Sequence, residues 1–326
     1  MDMNRVSVRA VVDAMIVVGV VSVGAAWRTT SAQESFPTGQ NVVPVFEGWE
    51  KNPDGSFNLV FGYFNRNWEE EVDVPVGSDN RIEPGPADQG QPTHFYPRRS
   101  RFLFRVRVPQ DFGTREVVWS LTTHGKTERT YGTLKPDYFI DDIVIMNNSG
   151  AGGMGGGAFN IHGNKPPAVT VAGDKKREVK VGQPVLLTAT ATDDGMPKRR
   201  VNHSSLAAAV AAGAATAPSP ASTYVPSRIG SRCCPDSSSG LRLAWFVYRG
   251  PAARVTFDPP QFDTWEDYRD GRNSPWSDGW EPPPVPEGGR WNVRVTFSEP
   301  GTYVLRAQAH DGGLAAAEDV TLIVTR

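Results

Sequence analysis

Gly301–Arg326 reads "GTYVLRAQAHDGGLAAAEDVTLIVTR". Gly301–His310 alternates in side-chain type with the period of two expected of a β-strand, and Glu318–Thr325 does so again. Asp311-Gly312-Gly313 between them is turn chemistry, because Asp bonds its own backbone and Gly tolerates a positive φ. The chain therefore ends in a β-hairpin, and the same style of segment recurs upstream.

"AVTV", "REVKVG", "PVLLTATATDDG", "LRLAWFVYRG", "ARVTF" and "RWNVRVTFSEPG" precede the hairpin, each short and closed by Gly, Pro or Asp. Together they predict a sandwich of seven to eight strands across residues 166–326, once two insertions are set aside. "VTFSEPGTYVLRAQAHDGGLAAAEDVTLIVT" resembles the last three strands of PKD-like and cadherin-like immunoglobulin-type domains, where an aromatic-Pro-Gly-Thr-Tyr corner leads into an alternating strand, a D-G turn and a terminal strand. Trp245 falls where such domains carry a buried tryptophan. The acidic glycine turn that follows in the family is here Arg249-Gly250-Pro251, so nothing attached to that turn carries over. The resemblance implies a fold and no chemistry.

A first block, residues 33–149, repeats the pattern. In "SFNLVFGYFNRN" Phe57, Leu59, Phe61 and Tyr63 share a face, and "EEVDVPVG", "RFLFRVRVP", "REVVWSLTTHG" and "KTERTYGTL" follow at sandwich spacing. It resembles exported bacterial proteins of unknown function and no named family. In "RFLFRVRVP" Phe102, Phe104, Val106 and Val108 point one way and Arg105 and Arg107 the other. With Arg98, Arg99 and Arg101 this set suggests an anion site or, more simply, a charged sheet face that deters edge pairing. Cross-strand partners are expected from the acidic run Trp68–Asp73.

Residues 150–165 are read as a glycine-rich linker that leaves the two blocks free to move. Gly150, Gly152 and Gly155 match G-x-G-x-x-G after what reads as a strand, "DDIVIMNN", but no following helix is legible to hold a pyrophosphate, so no dinucleotide cofactor is expected. The fold expected is all-β: two immunoglobulin-like sandwiches and a linker.

The start of the chain sets the expected compartment. Arg5 and Arg9 precede an apolar run from Ala14 to Ala26, and Thr30-Ser31-Ala32 supplies small residues for cleavage. Residues 1–32 therefore read as a secretory signal peptide, its apolar run too short for a membrane span. The mature chain is expected to be periplasmic, at the cell surface or secreted. A formal charge of −2 gives no general case for nucleic-acid binding. The two cysteines, Cys233 and Cys234, are adjacent and support neither a disulfide framework nor a zinc site.

Two candidate sites stand out. Asp193 and Asp194 end the second strand of the second block and Asp311 ends its penultimate strand, so in a sandwich all three reach one pole. Such carboxylates could hold calcium weakly, or simply close their turns. Within residues 261–290, Trp265, Tyr268, Trp276 and Trp280 lie among Asp, Glu and Pro, and Trp291 follows. Rings in a proline-stiffened loop can stack on sugars or peptides, or fold back as a small core of their own. The other insertion, residues 199–240, is rich in Ala, Ser and Pro and reads as disordered.

Catalysis has little support. His94, His124, His162, His203 and His310 are scattered, and the acidic groups Asp141-Asp142 and Asp263, Glu266 and Asp267 read as solvated loop residues rather than a glycosidase pair. The expected function is a non-catalytic binding or structural module of the cell envelope or surface, with a protein or envelope polysaccharide as partner. The alternative is a carbohydrate-binding or carbohydrate-degrading protein using the tryptophan loop.

Overall fold

Alternating apolar residues build the first layer of core. Leu59, Phe61 and Tyr63 are buried against Phe104, Val106, Trp119 and Leu121, as their shared faces require. The structure, a computed structural model, describes residues 36–149, 162–197, 237–269, 271–277 and 280–326. In the first block β1 (Val42–Lys51), β2 (Phe57–Asn65) and β6 (Arg98–Val108) form an antiparallel sheet in the order β1-β2-β6. Its core face packs on a second sheet of β4 (Asn80–Glu83), β7 (Val117–Thr123) and β8 (Lys126–Gly132). The short pair β3 (Val72–Asp73) and β5 (His94–Phe95) closes one side.

Among its described residues the second block has eight strands: β9 (Ala168–Val171), β10 (Lys176–Lys180), β11 (Val185–Thr192), β12 (Arg242–Arg249), β13 (Val255–Asp258), β14 (Arg290–Phe297), β15 (Gly301–His310) and β16 (Ala315–Thr325). They make two four-stranded sheets, β10-β16-β15-β12 and β13-β14-β11-β9. Trp245, Leu187, Val295, Phe297, Tyr303, Leu305 and Leu322 meet between them. The terminal hairpin is present, with His310 paired to Ala315 across a loop of Asp311–Leu314. The Tyr303 hydroxyl donates to the Glu299 carbonyl at 3.1 Å and pins the corner that enters it.

Several details differ from the sequence reading. β1 was not legible because Pro44 and Gly48 interrupt it; both are tolerated because β1 is an edge strand. Gly48 sits at a register shift with a positive φ, and a Cβ there would lie 2.5 Å from the Ile140 side chain. The expected strand at "DDIVIMNN" is instead a helix, α1 (Asp142–Ser149). The Asp141 carboxylate accepts the Val144 N–H at 2.9 Å and starts its first turn. Phe102 leaves the face it was assigned: a bulge between Phe61 and Tyr63 and a φ of 51° turn it outward.

Phe102 turns toward a third core. Val60, on the outer face of β2, is fully buried with Ile140, Ile145 and Met146, and Phe102 packs on this group. Leu314, from the loop of the terminal hairpin, completes the cluster. The two blocks share apolar side chains, and residues 37–326 form one compact unit. The free movement expected of the blocks is overturned by this shared core. The glycines at 150, 152 and 155 lie outside the described residues, as do Cys233, Cys234 and most of the 199–240 insertion. Ser237–Gly240 are described, and they are packed rather than loose: Ser237 and Ser239 are buried. Among the described residues no helix is long and apolar enough to cross a membrane.

Leu314→Ala is expected to cost about 2–5 kcal/mol, the range for truncating a buried leucine. Because the lost contact joins the blocks, urea unfolding followed by Trp fluorescence should pass from one transition in the parent to a broader or two-step transition in the variant.

Candidate functional site at the junction of the blocks

β12 is an edge strand of its sheet, and its free backbone groups demand partners. They are met by the segment Asp88–Tyr96 of the first block. Thr93 N–H donates to the Tyr248 carbonyl at 3.2 Å, Gly250 N–H to Thr93 Oγ1 at 3.0 Å, and Val247 N–H to the Tyr96 hydroxyl oxygen at 3.0 Å. The Tyr248 hydroxyl returns a bond to the Gly90 carbonyl at 2.5 Å. Arg249 grips Asp88 through both guanidinium nitrogens at 2.8 and 2.7 Å, the bidentate geometry that favours Arg over Lys. Asp88 is accordingly held below its ordinary pKa, first by this hydrogen bonding.

The Asp311 turn fixes the contact from the other side. Asp311 is fully buried, and its Oδ1 accepts the N–H groups of Gly313 and Leu314 at 2.5 and 2.7 Å. Its Oδ2 accepts from Asn164 Nδ2 at 3.0 Å, and the same Asn164 nitrogen reaches Met146 Sδ at 3.3 Å. The carboxylate thus sets the loop conformation that delivers Leu314 to the third core. Burial pushes Asp311 up to about 6 despite those bonds. Gly312 has a φ of 111°, and a Cβ there would meet Ser239 Cα at 2.7 Å, so no larger residue fits.

Asp193 and Asp194 also close turns, and the Asp193 charge adds to the raised pKa of Asp311. Asp193 Oδ2 accepts Gly195 N–H at 3.0 Å; Asp194 accepts Met196 N–H at 2.9 Å and Lys165 N–H at 3.1 Å. Among the described residues no group of three His, Cys, Asp or Glu is placed to hold a metal ion. The calcium expectation for Asp193, Asp194 and Asp311 therefore draws no support from their arrangement.

The aromatic loop spans the junction. Trp265 is half-buried and stacks on Tyr96 of the first block, centroids 4.9 Å apart and planes 11° from parallel. Trp280 is half-buried against Phe262 and bonds Asn273 through its indole N–H at 3.0 Å. Tyr268 keeps 48% of its surface exposed and meets Trp68 edge-on at 5.3 Å. Trp276 lines a cavity between the blocks. The four candidate rings are therefore dispersed along the joint and do not form one open platform.

Charges complete the clamp. Arg98 and Arg269 lie over the Trp68 ring at 3.8 and 4.7 Å, within cation–π range. Arg101 pairs with Glu266 at 2.5 Å, and Arg269 and Arg272 both pair with Glu69. Buried Asp267 accepts from Arg269 at 2.6 Å. The arginine row of β6 is thus neutralised by Glu47, Glu50, Asp54 and Glu266, its partners at Arg99, Arg105, Arg107 and Arg101. The acidic run Trp68–Asp73, which was expected to serve it, instead meets the aromatic loop and His94. Asp263 is raised to about 6, mainly by burial, yet it is not among the residues lining the cavity.

That cavity has a volume of about 100 Å³ and is lined by Tyr63, His94, Tyr96, Arg101, Glu266 and Trp276, among others. Ligand pockets run to roughly 300–1,000 Å³. A few water molecules fit here.

His94 is the titrating group nearest this joint. It is 3% exposed, its Nδ1 lies 2.7 Å from Asp73 and its Nε2 3.1 Å from Glu71, and its ring meets Tyr96 edge-on. Burial opposes its charge, but the bonds to Asp73 and Glu71 and their charges outweigh that, and the pKa is raised. Sequence reasoning placed His94 among scattered histidines, and no local motif marked it, because Tyr96 and the loop reach it only through the fold.

The fold and junction define a class: an all-β protein of two packed sandwiches locked together by a loop and a turn. No family model and no curated protein matches the chain. Among solved structures it is similar to domains 4 and 5 of the S-layer protein SbsC, at 9% identity and a TM-score of 0.23, covering 88% of this chain and 98% of that one. It is similar also to immunoglobulin domains 1–5 of Sidekick-1, at 10% identity and a TM-score of 0.23, covering 91% and 41%. The Yersinia pseudotuberculosis adhesin InvE aligns at 10% identity and a TM-score of 0.22, covering 86% and 58%. These likenesses are loose, and the functional reading rests on the chain's own residues.

A raised histidine pKa stabilises the fold below the unfolded value and ceases to do so as pH rises through the folded one. The stability advantage of the parent over His94→Gln should therefore be full below about pH 6 and shrink as pH rises above about 6.5. Urea midpoints of both proteins across that range measure it.

Proposed function

We propose that this protein is an exported, non-catalytic interaction module of the cell envelope or surface, in which two sandwiches act as one stiff body. The observation that carries the reading is the Trp265–Tyr96 stack across the junction. The most ligand-like residues in the sequence are spent on holding the blocks together, and what remains for a partner is the outer surface. The apolar leader at Ala14–Ala26 supports export, and the PKD-like corner at Phe297–Tyr303 is in keeping with a spacer or platform domain.

The carbohydrate reading asks for coplanar rings in an open groove. Trp265, Trp276 and Trp280 are each half-buried, and Trp280 packs inside its own block on Phe262 and beside Arg242, which favours the structural role. The carboxylates a glycosidase would need are committed too: Asp141 caps α1, Glu266 pairs with Arg101, and Asp267 is buried against Arg269.

Two measurements separate these readings. Trp265→Ala should lower stability by about 1–3 kcal/mol, less than the ~3–5 kcal/mol of a fully buried tryptophan, and leave binding to insoluble cell-wall and plant polysaccharides at background, as in the parent. Saturable quenching of Trp fluorescence by any soluble oligosaccharide, lost in Trp276→Ala or Trp280→Ala, would overturn the structural role. Solution scattering should likewise fit the single compact arrangement of residues 37–326 without interblock motion.

A further inference from the structure

The segment Asp137–Val144 carries apolar side chains that the fold does not use. Tyr138, Phe139, Ile143 and Val144 are 48, 49, 48 and 37% exposed, four large apolar residues within seven positions. α1 is apolar on two sides: Ile145 and Met146 enter the third core, while Ile143 and Val144 face water. A helix apolar all round is normally buried all round. The backs of the aromatic rings are held firmly, Phe139 against Trp49 at 5.0 Å and Tyr138 against Phe46 at 5.5 Å. The segment itself is tied down by Ile140 N–H to the Trp49 carbonyl at 3.0 Å and by the Trp49 indole N–H to the Lys135 carbonyl at 2.8 Å. The patch is rigid and preformed, which lowers the ordering cost of binding.

Its rim is acidic. Asp137, Asp141 and Asp142 are all exposed, and none forms an ion pair with a described residue. This contrasts with the junction, where arginine and carboxylate are matched almost one to one. Burial raises the pKa of Asp142, and the charges of Glu50 and Asp141 add to the rise while Arg105 opposes it.

The geometry points to Tyr138, Phe139, Ile143 and Val144, with Asp137, Asp141 and Asp142, as the docking surface for a partner protein segment that sets aromatic or aliphatic side chains among Lys and Arg. The charge decides between occupants. A membrane surface is anionic and would be repelled. A second copy meeting this face across a two-fold axis would oppose acid to acid. The rings of Tyr138 and Phe139 stand beside the branched side chains of Ile143 and Val144, a mixed apolar surface that suits peptide side chains better than the face of a sugar. An apolar, basic peptide satisfies both the patch and its rim.

The inference rests on the platform reading only in taking the partner to be a protein. To test it, random peptides of about 12 residues, enough for one helical or extended anchor motif, are selected by display on the purified chain. The consensus peptide is then titrated by calorimetry. Selected sequences should combine Phe, Trp or Leu with Lys or Arg, and affinity should fall with added salt. It should fall at least about tenfold in Ile143→Glu, and again in the double variant Asp137→Lys with Asp142→Lys, both retaining the parent's melting temperature within a few degrees. If either variant unfolds, chemical-shift mapping of the peptide onto the parent supplies the same answer.

The inference is overturned if no sequence is enriched, if the enriched peptides are acidic, or if binding maps away from α1. It is overturned also if sedimentation shows a dimer that Ile143→Glu dissolves, which would make the occupant a second copy. A chain found flexible by scattering but still selecting basic apolar peptides would sink the platform reading alone; a stiff chain selecting none would sink this inference alone.

Discussion

The open edge of β12 is the constraint on which the arrangement depends. A strand of eight residues with one free edge either recruits a foreign strand or is covered by its own chain. Here the first block covers it, through backbone bonds at Thr93 and Gly250 and through the hydroxyls of Tyr96 and Tyr248. Burial of β12 on its other faces follows. Each residue from Arg242 to Tyr248 is buried, which a strand with one solvated face could not achieve. Phe246 and Tyr248, which point away from the core of their own sandwich, find Tyr96 and Arg306 instead. Arg306 lies 3.6 Å over the Tyr248 ring, pairs with Asp319 and donates to the Leu103 carbonyl, so one guanidinium serves both blocks.

Buried charge at the joint argues for specificity more than for strength. Arg99 and Glu47 form a pair at 2.7 Å with side chains 13 and 7% exposed. Burial is the largest influence on each: it raises the pKa of Glu47 and lowers that of Arg99. Both shifts are in the direction that disfavours the charged forms, so desolvation exceeds the attraction between the partners. Such a pair adds little net stability over a well-packed apolar one, but losing either member strands the other at about 3–5 kcal/mol. Both members belong to the first block, so the pair penalises any pairing of β1, β2 and β6 that separates them. The exposed pairs, such as Arg107 with Asp54, are worth far less.

How much of this was legible in the sequence follows from the range of each interaction. Alternation of period two is local, so β2, β6, β7 and all the strands of the second block could be read, and the terminal hairpin most clearly. β1 was hidden by Pro44 and Gly48, residues that mark an edge strand only once its neighbour is known. α1 was misread because "DIVIM" has strand-like composition, and eight residues are too few for a helical period to emerge. Its helical state depends on Val60, 80 or more residues earlier in the chain, and on Leu314 far downstream. Asp311 stands out in the sequence as a calcium candidate, and a carboxylate's oxygens accept from backbone N–H groups as readily as they bind a cation. Two N–H groups and one amide already occupy them. The aromatic loop was likewise noticed for its composition, while its stacking partner, Tyr96, could not be inferred from spacing.

Locking two sandwiches into one body has a physical consequence for how such a chain could bind anything. Residues engaged in the joint contribute rigidity and are withdrawn from recognition. The surfaces left outside keep fixed positions relative to one another, so a partner meeting one of them does not bear the entropy of ordering a hinge. The contrast between the joint and α1 follows from that division. At the joint, rings and charges are matched within the chain: Trp265 with Tyr96, Arg101 with Glu266, Arg249 with Asp88. At Tyr138–Val144 apolar surface stands beside Asp137, Asp141 and Asp142, which form no ion pair with a described residue, on a backbone held by Trp49. A rigid apolar region of four large side chains within seven positions is better explained by a complement outside the chain than by incomplete packing.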